Sequence, residues 1–250
     1  MRRQRLWLVL AVLVLGALLF VWRLGAVGQW DETPAIFAAS GRAMAETGDW
    51  ITPWFDIGVP FWGKPPLSFW TQALSFKLFG VSEFAGRLPS WLANVGIVWL
   101  VYNLRRYLHP DPLGHGAKTQ GLWAALIYAT TALGFLSAGT VMTDSFLALG
   151  TSLTLVSLII RLQGGPPLWG WLFFIGLATG LLAKGPLVLV LAGLPVFLWA
   201  LAFNRWQTLW HSLPWVRGLA LTLLIAAPWY VLAELKTPGF LDYFIVGEHI

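Results

Sequence analysis

Apolar residues run through this chain in long blocks, and the breaks between blocks define its plan. The blocks occupy roughly 6–26, 89–108, 119–139, 142–162, 168–184, 186–203 and 216–234. Each approaches or exceeds the ~18–20 apolar residues that cross a bilayer. The pattern therefore predicts an all-α polytopic membrane protein with seven spans. Helices are the economical choice, because backbone polar groups in lipid must be satisfied within their own segment. Gly185-Pro186 divides two blocks that would otherwise fuse.

Between the first two blocks lies a polar island, residues 29–90, which holds Asp31, Glu32, Glu46, Asp49, Asp56 and Glu83. Two short helices are expected within it. Pro34–Glu46 sets Phe37, Ala38, Gly41, Met44 and Ala45 against Ser40, Arg42 and Glu46, and Gly48 ends it. Leu67–Phe79 starts after Pro65-Pro66, since proline is tolerated in a first helical turn, and its surface is almost wholly apolar. Both suit amphipathic juxtamembrane helices in the headgroup layer, anchored by Trp and Phe.

Composition sharpens this picture. With 58% apolar and 11% charged residues, the chain falls far below the charged fraction of a soluble domain, about 25%. A net charge of +5 invites a nucleic-acid partner, but the basic residues are scattered at helix ends, where orienting the spans explains them better. An absence of cysteine removes disulfide and thiolate chemistry. The basic start followed by Leu6–Trp22 is too long for a signal peptide and lacks a small-x-small cleavage site, so it reads as an uncleaved first span. Placing Arg2, Arg3 and Arg5 in the cytoplasm also puts Arg105, Arg106, Lys118, Arg161, Arg205 and Arg217 inside. The island, residues 27–88, then becomes the first outer loop, and Asp31, Glu32, Lys64, Asp144, Lys184, Glu248 and His249 all fall at one membrane face.

Each of these residues has a bland reading beside a chemical one. Asp31-Glu32 is either an acidic flank to a span or a general base and sugar-orienting pair. Lys64, in Gly-Lys-Pro-Pro, is either a snorkelling anchor or a phosphate ligand fixed by a rigid turn. Asp144, in Thr-Asp-Ser, is either a helix cap or a carboxylate lining a cavity. Lys184, before Gly185-Pro186, is again an anchor or a cation for an anionic ligand. Glu248-His249 alone is thin ground for a metal, and His109, His115 and His211 fall at the opposite face.

In this order, WDETPAIFAASGRAMAETGDWITPWFDIGVPFWGKPPLSFW, VMTDSFLALG, LLAKGPLVLVL, APWYVL and DYFIVGEHI resemble the polyprenyl-phosphate-sugar-dependent glycosyltransferases of the aminoarabinose (lipid A) transferase type. Those enzymes are related to the protein O-mannosyltransferases. The resemblance covers essentially the whole chain and implies a transmembrane helical domain of the GT-C type, of which this chain is expected to be the N-terminal part. It implies a membrane glycosyltransferase that moves a sugar from a polyprenyl-phosphate donor to a lipid, glycan or protein acceptor on the outer face of the inner membrane, with no nucleic acid involved. By position it assigns Asp31, with Glu32 beside it, to the acceptor; Lys64 and Lys184 to the donor phosphate; and Asp144 to a second cavity carboxylate. His249 matches a histidine that shares a metal with a glutamate, but that glutamate is Gly63 here, so no cofactor is fixed and a divalent metal stays open. A second departure, Pro34-Ala35 where Arg-Tyr is expected, leaves the sugar unassigned. The competing reading is a transporter or flippase in which Asp144 and Lys184 form a coupling pair across a helix break. The island argues against it, because a transporter has no evident use for a long outer loop of this kind.

Overall fold

The computed structural model describes Trp7 and residues 10–12, 14–18, 32–56, 58–108 and 116–248. Most of the expected first span therefore lies outside the described residues, although residues 10–12 and 14–18 are helical. The island folds into helix α1 (Glu32–Thr47), a small antiparallel hairpin of β1 (Trp54–Asp56) and β2 (Val59–Pro60), and helix α2 (Leu67–Phe79). Gly48 ends α1 at a φ of 74° with its amide on Met44 O, and Gly80 ends α2 at 77°, both in backbone that favours glycine.

Helix α2 departs from the expected interfacial pattern in one respect. Its inward face includes the buried polar residues Ser68, Gln72 and Ser75 beside Phe69, Ala73 and Phe76, while Leu74, Leu78 and Phe79 are exposed. Polar groups can face inward because they find partners there: Gln72 Nε2 donates to Ser68 Oγ at 2.9 Å and Ser75 Oγ to Ala85 O at 2.6 Å.

Beyond the island follow α3 (Glu83–Leu108), α4 (Gly116–Ala129), α5 (Ala132–Ala138), α6 (Asp144–Leu162) and α7 (Leu168–Lys184). A π-helical turn (Leu189–Gly193) leads into α8 (Leu194–Ala202), followed by α9 (Trp206–Ser212) and α10 (Trp215–Lys236). Among the described residues, α3, α6 and α10 are long and apolar enough to cross a membrane, and α4 with α5 would make a fourth span despite a 70° bend. The apolar run 119–139 reads as one helix in sequence, yet it breaks at Thr130-Thr131. There Thr131 Oγ1 caps the next helix by accepting from Gly134 N, and Thr130 Oγ1 adds a second bond to Leu126 O, which also accepts the Thr130 amide. The 203–216 connection also holds a helix, α9, that hydropathy passes over.

Helices α6 and α7, joined by residues 163–167, are in backbone contact. A Cβ added to Gly150 would lie 2.6 Å from Gly180 N and 2.8 Å from Gly176 O. Thr154 Oγ1 bridges the pair, donating to Gly150 O and Phe173 O. Helix α10 seats Gly218 directly on the Phe174 ring and Thr222 Oγ1 on Phe174 O. Such small and hydroxyl residues let helices approach closely where lipid supplies no hydrophobic drive for their association. The outer faces are apolar and exposed, as at Val216, Leu223 and Leu224 of α10 and Leu198 and Leu201 of α8.

One carboxylate joins the island to this bundle. Asp49 Oδ1 accepts from the amides of Ile51 and Thr52, and its Oδ2 accepts from the Trp54 indole and, at 2.5 Å, from Lys236 Nζ at the end of α10. Burial opposes its ionisation, but Lys236 and these N–H donors outweigh burial and hold the carboxyl below its ordinary value of 3.8. A carboxyl depressed in the folded state adds stability above 3.8 and loses it as pH falls through the lower folded-state value. Asp49→Asn is therefore expected to melt below wild type at neutral pH and to converge on it in strong acid. Thermal unfolding of purified protein across that pH range checks this, and a deficit that stays constant to the acid end would refute it.

Candidate active site

The site builds up from three chain turns at one end of α7 and α10. The first leaves β2 through Phe61, Trp62, Gly63 and Lys64, where Pro65-Pro66 fix the direction of entry into α2. The second is the end of α7, where Lys184 precedes Gly185, whose φ of 68° suits glycine. The third follows α10. Glu234 accepts the amides of Gly239 and Leu241, turning the chain through Gly239 into α11 (Phe240–Asp242) and a second π-helical turn (Tyr243–Gly247).

Aromatic packing binds the three together. Trp62 lies 4.7 Å from Phe240, centroid to centroid, and Phe240 stacks on Phe244 at 5.6 Å and meets Trp229 edge-on at 5.3 Å. Phe244 sits against Gly185 so closely that a Cβ there would come within 2.6 Å of its ring. Tyr230 fixes the end of α7 by donating its hydroxyl to Leu181 O at 2.7 Å.

On this floor stand two ion pairs. Lys184 Nζ lies 2.6 Å from Asp144 Oδ1, at the first residue of α6. Thr143 and Asp144 make no side-chain capping bond, so Asp144 is not spent on its own helix. Lys64 Nζ donates to Gly63 O at 2.6 Å and lies 3.3 Å from Glu248 Oε2. Glu248 Oε1 in turn accepts from the Tyr243 hydroxyl at 3.0 Å; this bond, with burial and the carboxylate charge, pushes the phenol up and keeps it a donor. All four charged side chains of these pairs keep some solvent exposure, from 22% to 50%. An entering anion can therefore reach both ammonium groups and exchange for the carboxylates that now hold them.

Of the residues singled out in the sequence, Lys64 with Glu248 and Lys184 with Asp144 are brought together, and residues 240–248 link the two pairs. Asp31 and His249 lie outside the described residues. Glu32 begins α1, and its side chain also lies outside the description. The sequence reading passed over Tyr243 and Trp62. The Trp62 indole N–H is buried without a protein acceptor among the described residues. Neither stood out, because aromatic residues are everywhere in a chain with 17 Trp.

A divalent metal can be tested against the donors present. A Cβ at Gly63 would stand 3.3 Å from Glu248 Oε1, so Glu248 already fills the space an acidic residue 63 would enter. That carboxylate is engaged by an ammonium and a phenol, and the described residues offer no group of three His, Cys, Asp or Glu for a metal. Among the described residues the donors therefore form no divalent-cation site; Asp31 and His249 lie outside them.

Residues 4–244 match the sequence profile of the dolichyl-phosphate-mannose-protein mannosyltransferases. The chain belongs to this family. It is similar over its whole length to the undecaprenyl phosphate-alpha-4-amino-4-deoxy-L-arabinose arabinosyl transferase of Pseudomonas aeruginosa (strain UCBPP-PA14), at 32% identity and covering 44% of that protein. The enzyme of the same description from Edwardsiella ictaluri is 29% identical over 98% of the chain and 43% of its own length. In fold the chain is similar to the crystal structure of ArnT from Cupriavidus metallidurans bound to undecaprenyl phosphate, with a TM-score of 0.84 at 23% identity over 97% of this chain and 44% of that one. The chain thus spans less than half the length of the relatives it matches. Its fold is the multi-pass GT-C type, helical apart from one short hairpin among the described residues, and its family is one of glycosyltransferases rather than transporters.

Proposed function

We propose that the chain carries the donor site of an inner-membrane glycosyltransferase, which moves a sugar from a polyprenyl phosphate to a lipid, glycan or protein acceptor at the outer face. The observation that carries this reading is the placement of Lys64 and Lys184, each against an exchangeable carboxylate, on one aromatic floor at the ends of α7 and α10. In the reaction the bond between the sugar's anomeric carbon and the donor phosphate oxygen breaks as an acceptor oxygen bonds to that carbon. Phosphate is already a good leaving group, so it needs charge stabilisation more than an acid, and Lys64 and Lys184 supply it. Asp31 takes or orients the acceptor proton, with Glu32 beside it. Asp144 holds Lys184 in place until the donor arrives. The arabinosyl transferases among the relatives support a pentosyl donor.

The test is transfer from a labelled polyprenyl-phosphate pentose, followed in nanodiscs. Lys184→Met is expected to slow transfer by about tenfold, because it removes one of two charge-assisted contacts to the phosphate. Sugar-free polyprenyl phosphate is expected to compete with the donor. A preparation that turns over normally after Lys184→Met, and is indifferent to polyprenyl phosphate, would remove the basis of the proposal.

A further inference from the structure

Asp49 stands apart from the site, yet the hairpin that delivers Lys64 starts from it. Its carboxylate fixes the turn through the amides of Ile51 and Thr52 and the indole of Trp54, the first residue of β1. Two further indoles hold the same turn from outside: Trp70 of α2 donates to Trp50 O at 2.6 Å and Trp229 of α10 to Ile51 O at 2.9 Å. From Trp54 the chain runs out along β1 and returns along β2, closed by Phe61 N on Pro53 O at 2.7 Å. Three residues later comes Lys64. At the far side, the ammonium on Asp49 comes from Lys236, at the end of the helix whose next turn carries Tyr243 and Glu248. One carboxylate thus ties together the two chain segments that meet again at the Lys64–Glu248 pair.

We propose that Asp49, with Lys236, is a positioning residue. It clamps the base of the 53–61 hairpin to the end of α10 and so sets where the Lys64 ammonium stands relative to the donor phosphate. The claim about phosphate rests on the reading of Lys64 given above; the claim about the clamp does not. Geometry favours the clamp over a mere turn-former. An Asp needed only for the turn would be satisfied by Ile51, Thr52 and Trp54, whereas Lys236 comes from 187 residues away.

The chain's lack of cysteine allows a direct measurement. Spin labels on Val59→Cys and Leu235→Cys, both at exposed positions, report the distance between hairpin and helix end. Asp49→Asn and Lys236→Met are each expected to broaden that distance distribution, and Lys236→Arg to restore it. The same two variants are expected to weaken binding of polyprenyl monophosphate by about tenfold, the scale on which small misplacements of a positioned group are felt. In a Lys64→Ala background they are expected to weaken it no further. An unchanged distance distribution, or losses that add fully to that of Lys64→Ala, overturns the proposal. If Lys64→Ala itself binds phosphate like wild type, the fault lies with the role of Lys64, and the distance measurement still decides the clamp.

Discussion

Lys64→Ala is expected to lower the transfer rate by about 10²–10³-fold, the scale seen when one preorganised donor to a developing anion is removed. Two effects combine in that number. The ammonium that would meet the phosphate is gone, and Glu248, which faced it at 3.3 Å, turns more of its negative charge on the place where the anionic donor must sit. The second effect is separable: Lys64→Ala with Glu248→Gln is expected to recover part of the loss. Asp31→Asn makes the contrasting case, with transfer lost while binding of polyprenyl phosphate stays at the wild-type level, since Asp31 acts on the acceptor. Single-turnover transfer and phosphate binding, measured on variants that insert and fold normally, separate these outcomes. Near-wild-type turnover in Lys64→Ala would end the assignment.

The second large effect is structural. Gly150→Leu is expected to destabilise the bundle by about 3 kcal/mol or more, at or beyond the upper end of ordinary overpacking. A Cβ at Gly150 would meet Gly180 N and Gly176 O, both backbone atoms that cannot swing aside as a side chain does, so α6 and α7 must separate. Separation would also pull Asp144, on α6, away from Lys184, on α7, and activity should fall with stability. Gly193→Leu is the matched control: its φ is −71° and nothing lies within 4 Å of the added Cβ. Chemical or thermal unfolding in nanodiscs checks the pair, and equal stabilities would contradict the glycine contact.

How much of this was legible beforehand depended on whether the signal was local. Helix α2 was read to the residue because both ends are written in the sequence, Pro65-Pro66 before it and Gly80 after. The break at Thr130-Thr131 was not, because hydropathy stays high across it and the hydroxyl bonds made there leave no mark in a hydropathy plot. Lys184 and Asp144 were paired in the sequence only under the transporter reading; their ion pair spans 40 residues and depends on the close approach of α6 and α7. Asp49 was passed over for a different reason. Its three neighbouring N–H donors include two backbone amides, and its ammonium partner lies at the other end of the chain. Glu248 facing Gly63 was equally hidden, since nothing in a sequence says that a missing side chain leaves room for another.

The π-helical turn at Tyr243–Gly247 makes the location of Glu248 a matter of counting. Such a turn accommodates one more residue than the α-helical path, and each residue of a helix advances the next by about 100°. Deleting one residue there, such as the exposed Val246, would let the segment relax to α geometry. Glu248 would then keep its side of the helix, because the turn has lost only its extra residue; an inserted residue would instead rotate Glu248 by about 100° away from Lys64. Along this stretch of the chain, an added residue should do more harm than a lost one.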